Sequence, residues 1–146
     1  DVLVHLEPGE ERIALDEFAR VLVPGGLLLL RVSAFSWLRS RHSSFVNERQ
    51  RFRKQTLLPA LERSGLTPIR HTYANCLLLP VTLFKFRVWE PLLNAPPESG
   101  LQPVPPMLNA ALRSVLLAEA AWLRRGGSFP VGQSLWVLAR KRSIPA

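Results

Sequence analysis

The sequence contains one cysteine, Cys76, so an intramolecular disulfide is impossible and no thiolate metal cluster can be built. A reducing compartment, the cytoplasm, is expected from that usage, and no metal site is expected. Acidic residues are scarce: 11 stand against 19 lysines and arginines, a formal net charge of +8. The imbalance favours anionic partners, whether nucleic acid, acidic lipid or a phosphorylated substrate. Long apolar runs are also missing. The longest, 77–93, is interrupted by Pro80, Lys85, Arg87 and Glu90 and is too short and too charged for a membrane span. No internal repeat, low-complexity tract or signal-peptide pattern is visible. The aromatic residues lie mostly inside apolar runs rather than between charges, which argues against a stacking surface for nucleic acid.

What remains is material for a core. A chain of 146 residues, 47% hydrophobic and 21% charged, has the makings of one folded domain. It opens at Asp1 within the apolar run Val2-Leu3-Val4, so it is expected to begin inside a strand and to be a piece of a larger domain. Residues 1–6 read as the end of a buried strand closed by Glu7-Pro8-Gly9. Ile13, Leu15, Phe18, Ala19 and Leu22 share one face of a predicted helix over 10–22, with Glu10 and Glu11 at its dipole-complementing start. Pro24-Gly25-Gly26 ends that helix. Leu27 to Val32 is aliphatic without alternation, the pattern of a strand covered on both faces in a parallel sheet.

Further along, 33–54 is polar, basic and aromatic, a mixture of loop and short helix. Thr56 is placed to cap a helix reaching Ser64, with Gly65 just past its end. Residues 67–73 alternate as a strand. The run 77–93 predicts an apolar helix that Pro80 starts or bends. Residues 94–106 are rich in proline and predict a linker. Leu108, Ala111, Leu112, Val115, Leu116, Trp122 and Leu123 mark an amphipathic helix over 108–123. Gly126-Gly127 stops it, and 134–140 predicts a closing strand.

Asp1-Val2-Leu3-Val4-His5-Leu6, then a helix, then Leu22-Val23-Pro24-Gly25-Gly26-Leu27 resembles the class I S-adenosylmethionine-dependent methyltransferases, where a D-V-L-E-H-like strand end, a helix and an L-x-P-G-G turn follow one another. Trp37-Leu38, His42, Arg51-Phe52, Gly65-Leu66, Tyr73-Ala74-Asn75 and Pro130-Val131-Gly132-Gln133 are similar to the type 11 and type 23-like group. The resemblance covers nearly the whole chain. It implies an α/β fold: the C-terminal part of a Rossmann-like doubly wound sheet, strands four to seven, with the last strand antiparallel. Residues 77–125 would be a helical insertion covering the acceptor pocket. Two departures matter. Val4 stands where the family has an acidic residue, and the glycine-rich turn that approaches the cofactor would belong to the first three strands.

The resemblance implies S-adenosyl-L-methionine as cofactor and an unidentified small-molecule methyl acceptor, anionic or lipid-linked. Ligands of open α/β sheets lie beyond the carboxyl ends of the strands. Leu3, Val4 and His5 are therefore the cofactor-side candidates, and Ser33, Trp37, Arg51, Tyr73 and Asn75 the acceptor-side ones. His42 is the candidate general base, needed only if the acceptor must lose a proton. Arg39, Arg41, Arg49, Arg51, Arg53 and Lys54 form a basic cluster fit either for an anion or for plain solvation. Without the cofactor turn, this segment by itself is expected to be inactive. The rival reading is a non-catalytic domain that binds a partner or a membrane surface through the basic loop 39–54 and the apolar helix 77–93. Exposure of that helix would be costly, so it is expected to be buried under the following helix, or otherwise to be oligomeric or membrane-facing.

Overall fold

The computed structural model describes residues 2–39, 43, 45–89, 92 and 104–143. Helix α1 spans Glu11–Val21 and is followed by strand β1, Leu27–Ser33. Gly25 forms the turn between them at φ 76°, a conformation that suits a residue without a Cβ. Helix α2 spans Lys54–Arg63 and strand β2 spans Leu66–Ala74. Gly65, at φ 77°, joins these two in the place expected for it. Thr56 sits inside the first turn of α2 rather than at its cap, and its hydroxyl donates back to the Arg53 carbonyl at 2.9 Å. Helix α3, Leu79–Phe84, has Pro80 in its first turn, where the missing N–H costs nothing, and continues as a π-turn over Lys85–Trp89. Helix α4 spans Pro106–Arg124, and strand β3, Ser134–Lys141, follows it.

The fold is mixed α/β, and its sheet has three strands in the order β1-β3-β2. Both β1 and β2 pair antiparallel with β3, as expected of the last strand. They therefore run parallel to each other, joined through α2 with β3 between them. The sheet is thus not the all-parallel one that the aliphatic run suggested. Nor is β1 covered on both faces. It is an edge strand, and Leu29 is 64% exposed while Val32 is fully buried. The pleat explains the division, because successive side chains leave on opposite faces.

One face is the core. Leu30, Val32, Leu66, Tyr73, Leu135, Val137 and Ala139 meet Leu15 of α1 and Leu57 and Leu61 of α2 there, with Leu3, Val4 and Phe52. Ile13, expected on the inward face of α1, is exposed; Ala14, Leu15, Phe18 and Ala19 carry the contact instead. The other face carries Leu27, Leu29 and Arg31 of β1 beside Arg140, Leu138 and Trp136 of β3.

The first residues depart from expectation as well. Leu3–His5 is a 3₁₀ turn, not the end of a strand. It packs beside β1, but among the described residues it forms no ladder with a strand. Its Val4 carbonyl instead accepts from the Arg49 and Gln50 amides at 2.8 and 3.2 Å.

The apolar helix was expected to be covered, but Leu77, Val81, Phe84 and Val88 are exposed. On α4, only Glu119 is buried, while Met107, Leu108, Leu116, Leu117 and Trp122 are exposed. Among the described residues no helix is long and apolar enough to cross a membrane.

Candidate functional site

The carboxyl end of β1 is where the sequence-predicted residues gather. The chain leaves Ser33 with its carbonyl accepting from Phe52 N–H at 2.9 Å, and Ala34 forms a parallel bridge with Phe52. On the other side the Ala34 N–H donates to the Gln133 carbonyl at 2.9 Å. Held from both sides, the next residue, Phe35, adopts φ 49° and ψ 117°, strained for a residue with a side chain. Its ring stacks on Tyr73 with centroids 4.9 Å apart and meets Trp37 at 5.5 Å. The Arg53 guanidinium lies 5.8 Å from the Phe35 ring centre. Tyr73 is buried, and its hydroxyl accepts from the Lys54 amide at 3.2 Å. Trp37 is partly open to solvent, so it is the member of the aromatic group best placed to meet a ligand.

Arg51 lies inside this corner rather than facing out of it. Its Nε donates to Glu48 at 2.7 Å, Nη1 to the Ala34 carbonyl at 3.1 Å and Nη2 to Ser43 Oγ at 2.8 Å. The two charged side chains are only 9% and 5% exposed. Burial pushes the Glu48 carboxyl up, but hydrogen bonds from Ser33, Arg51 and Ser43 and the guanidinium charge together hold it below the usual carboxylate range. A guanidinium so engaged positions the segment 34–51; it is poorly placed to grip a substrate anion.

Two other members of the basic cluster are exposed but already hold partners within the chain. Arg39 donates to the Arg49 carbonyl at 2.9 Å, and Arg49 pairs with Glu7. Arg53, exposed beside the aromatic group, is the cation of this corner that faces solvent at the Phe35 ring. Arg41 and His42, the candidate base, lie outside the described residues.

The cofactor-side candidates adjoin this corner through 47–50. His5 is exposed, with Nδ1 3.4 Å from the Asn47 carbonyl, a contact that needs the proton on Nδ1 and leaves Nε2 as an acceptor. Leu3 and Val4 direct their side chains into the core. Of the three, then, His5 alone offers a polar group to solvent.

At the carboxyl end of β2 the decisive residue is one that sequence reasoning passed over. Glu119 of α4, 3% exposed, accepts from three consecutive amides: Asn75 at 2.5 Å, Cys76 at 2.8 Å and Leu77 at 3.1 Å. Asn75 takes φ 57°, which bends the chain so that these donors converge. Burial, and then the Glu119 charge, push the Cys76 thiol up, so it stays protonated at neutral pH. The signal for Glu119 was a lone acid on an otherwise apolar helix stripe.

A depression of 310 Å³ lies on the opposite face of the sheet from Tyr73. It is lined mainly by Leu29, Leu123, Trp136 and Leu138, with Thr72 and Arg70. Arg70 Nη2 donates to the Leu123 and Gly127 carbonyls, so it ties down the end of α4. Arg70 and His71 are the titratable groups on a lining that is otherwise mainly apolar, and Arg70 is engaged with the end of α4. Among the described residues no cluster of His, Cys, Asp and Glu fits a metal ion.

No family model, curated protein or solved structure matches the chain.

Proposed function

We propose that this chain is the C-terminal, acceptor-side portion of a methyltransferase that moves a methyl group from S-adenosylmethionine to an anionic or lipid-linked small molecule. The observation that carries the reading is the meeting of two stretches at one end of the sheet. Residues 3–5, the cofactor-side candidates, bond to 47–50, and the same segment leads into the corner of Phe35, Trp37 and Tyr73. Ligands of open α/β sheets lie beyond such strand ends. The antiparallel last strand and the unpaired outer edge of β1 also support it, since a fourth strand would extend the sheet there.

Methyl transfer is an in-line displacement in which the protein aligns donor and acceptor and excludes water. Trp37 and Arg53 would border the acceptor. Arg51 and Glu48 would hold the 34–51 segment that presents them. The residues present do not by themselves make a cofactor cradle, because Leu3 and Val4 are core residues and only His5 of the three exposes a polar ring. The cofactor is therefore assigned to the whole protein.

Calorimetric titration with S-adenosylhomocysteine tests the proposal. Saturable heat is expected with the full-length protein and none with residues 1–146 alone. Absence of heat from the full-length protein overturns the reading. In that protein, Trp37→Ala is expected to raise the acceptor KM with little change in cofactor affinity.

A further inference from the structure

Helix α3, its continuation over Lys85–Trp89 and helix α4 expose apolar side chains that the other described residues leave uncovered. Leu77, Val81, Phe84 and Val88 are exposed on α3 and its continuation, and Met107, Leu108, Leu116, Leu117 and Trp122 on α4. The two helices meet at the turn 75–77, where Glu119 of α4 binds the amides just before α3. A surface of this kind is costly in water and calls for a partner.

The charges on it say which kind. Among the described residues of 75–133, the exposed charged side chains are Lys85, Arg87, Arg113, Arg124 and Arg125. All are basic, and none is ion-paired with a carboxylate among the described residues. Among the described residues of this region the acid is Glu119, which is buried and bound to three amides and so removes no positive charge from the surface; Glu90 and Glu98 lie outside the described residues. A second copy of the chain would bring a like-charged surface to the contact, since the net charge is +8. An acidic, apolar counterpart is what fits, and no described helix is long and apolar enough to cross it. Exposed large apolar residues with interspersed arginines are the composition of a helix that lies in the interface of an anionic bilayer.

We infer that α3 with its continuation over Lys85–Trp89, together with α4, docks on the surface of an anionic lipid bilayer and is seated in the headgroup layer. The inference holds whether or not the chain belongs to a methyltransferase, and its test does not use the cofactor.

The chain is mixed with vesicles of phosphatidylcholine containing one-third phosphatidylglycerol, and with vesicles of phosphatidylcholine alone, and sedimented. Binding is expected to the first and to be at least tenfold weaker to the second. Replacing Arg113, Arg124 and Arg125 with glutamine removes three surface cations and is expected to lower the partition constant by at least roughly tenfold, in line with the usual strength of a basic residue at an anionic membrane. Phe84→Gln with Leu117→Gln, both at exposed positions, is expected to abolish the binding that survives at high salt. These substitutions alter no buried residue, so unchanged circular dichroism is expected alongside. Equal binding to both vesicle types, or no binding to either, overturns the inference. So does retention of full vesicle binding by both variants, tight binding to duplex DNA without vesicle binding, or self-association that covers these residues.

Discussion

The two faces of the sheet make an instructive contrast. Both are built from the same strands, and in β1 from nearly the same residues, Leu27-Leu28-Leu29-Leu30. One face is sealed by α1, α2, the 3₁₀ turn at Leu3–His5 and Phe52. Among the described residues, the other meets the end of α4 near Leu123, and Leu27 and Leu29 stand in solvent. A half-exposed strand in an isolated sheet would alternate polar with apolar; this one does not. Its sequence is suited to two covered faces, and the fold supplies one. In the proposed function, the second cover comes from the remainder of the methyltransferase domain.

The contrast can be tested by substitution, beginning with the closed side. Leu135→Ala on the sealed face should cost about 2–5 kcal/mol in urea or thermal unfolding, the usual range for a truncated core leucine. Arg51→Ala should cost about 3 kcal/mol, because it leaves Glu48 buried without its partner. This pair also sets a pH dependence. The folded carboxyl is held low, so its contribution is complete above the ordinary carboxylate value and is lost as pH falls through the depressed one. The acid limb of the stability curve should therefore flatten in Glu48→Gln. Glu119→Ala should cost about 1–3 kcal/mol by leaving buried amides without an acceptor, and should raise amide exchange at 75–77. Leu29→Ser on the open face should change stability by less than about 0.5 kcal/mol. A loss at Leu29 as large as that at Leu135 would mean that the open face is covered in solution.

How much of this was legible in the sequence depends on the range of the interaction. Helix α1, Gly65 after α2, the first-turn proline of α3 and the closing strand are written in local patterns, and the structure agrees with them. The strand end at 1–6 was misread because a short apolar run specifies burial, not pairing: Leu3 and Val4 are buried against β1, yet among the described residues they pair with no strand. The apolar helix was misread for the opposite reason. Its composition calls for a cover, but composition does not say whether this chain provides one, and Phe84 is exposed. At the site, Trp37 and Tyr73 do meet through Phe35, while Arg51 turns inward to Glu48. That acid lies three residues before Arg51, close enough in sequence for the pairing to have been anticipated.

The strand order carries a consequence for the time course of folding. β3 lies between β1 and β2 yet follows both in the chain, and its partners are distant: Leu27 pairs with Arg140 and Leu66 with Lys141. Among the described strands, neither β1 nor β2 has a partner to bond to until β3 emerges. Pairings so remote in sequence close large loops before any ladder forms, which places refolding toward the slow end of small domains, in milliseconds to seconds. Until then β1 has no ladder to hold it and Leu27 and Leu29 stay bare, so the nascent chain is most prone to aggregate just before its central strand arrives.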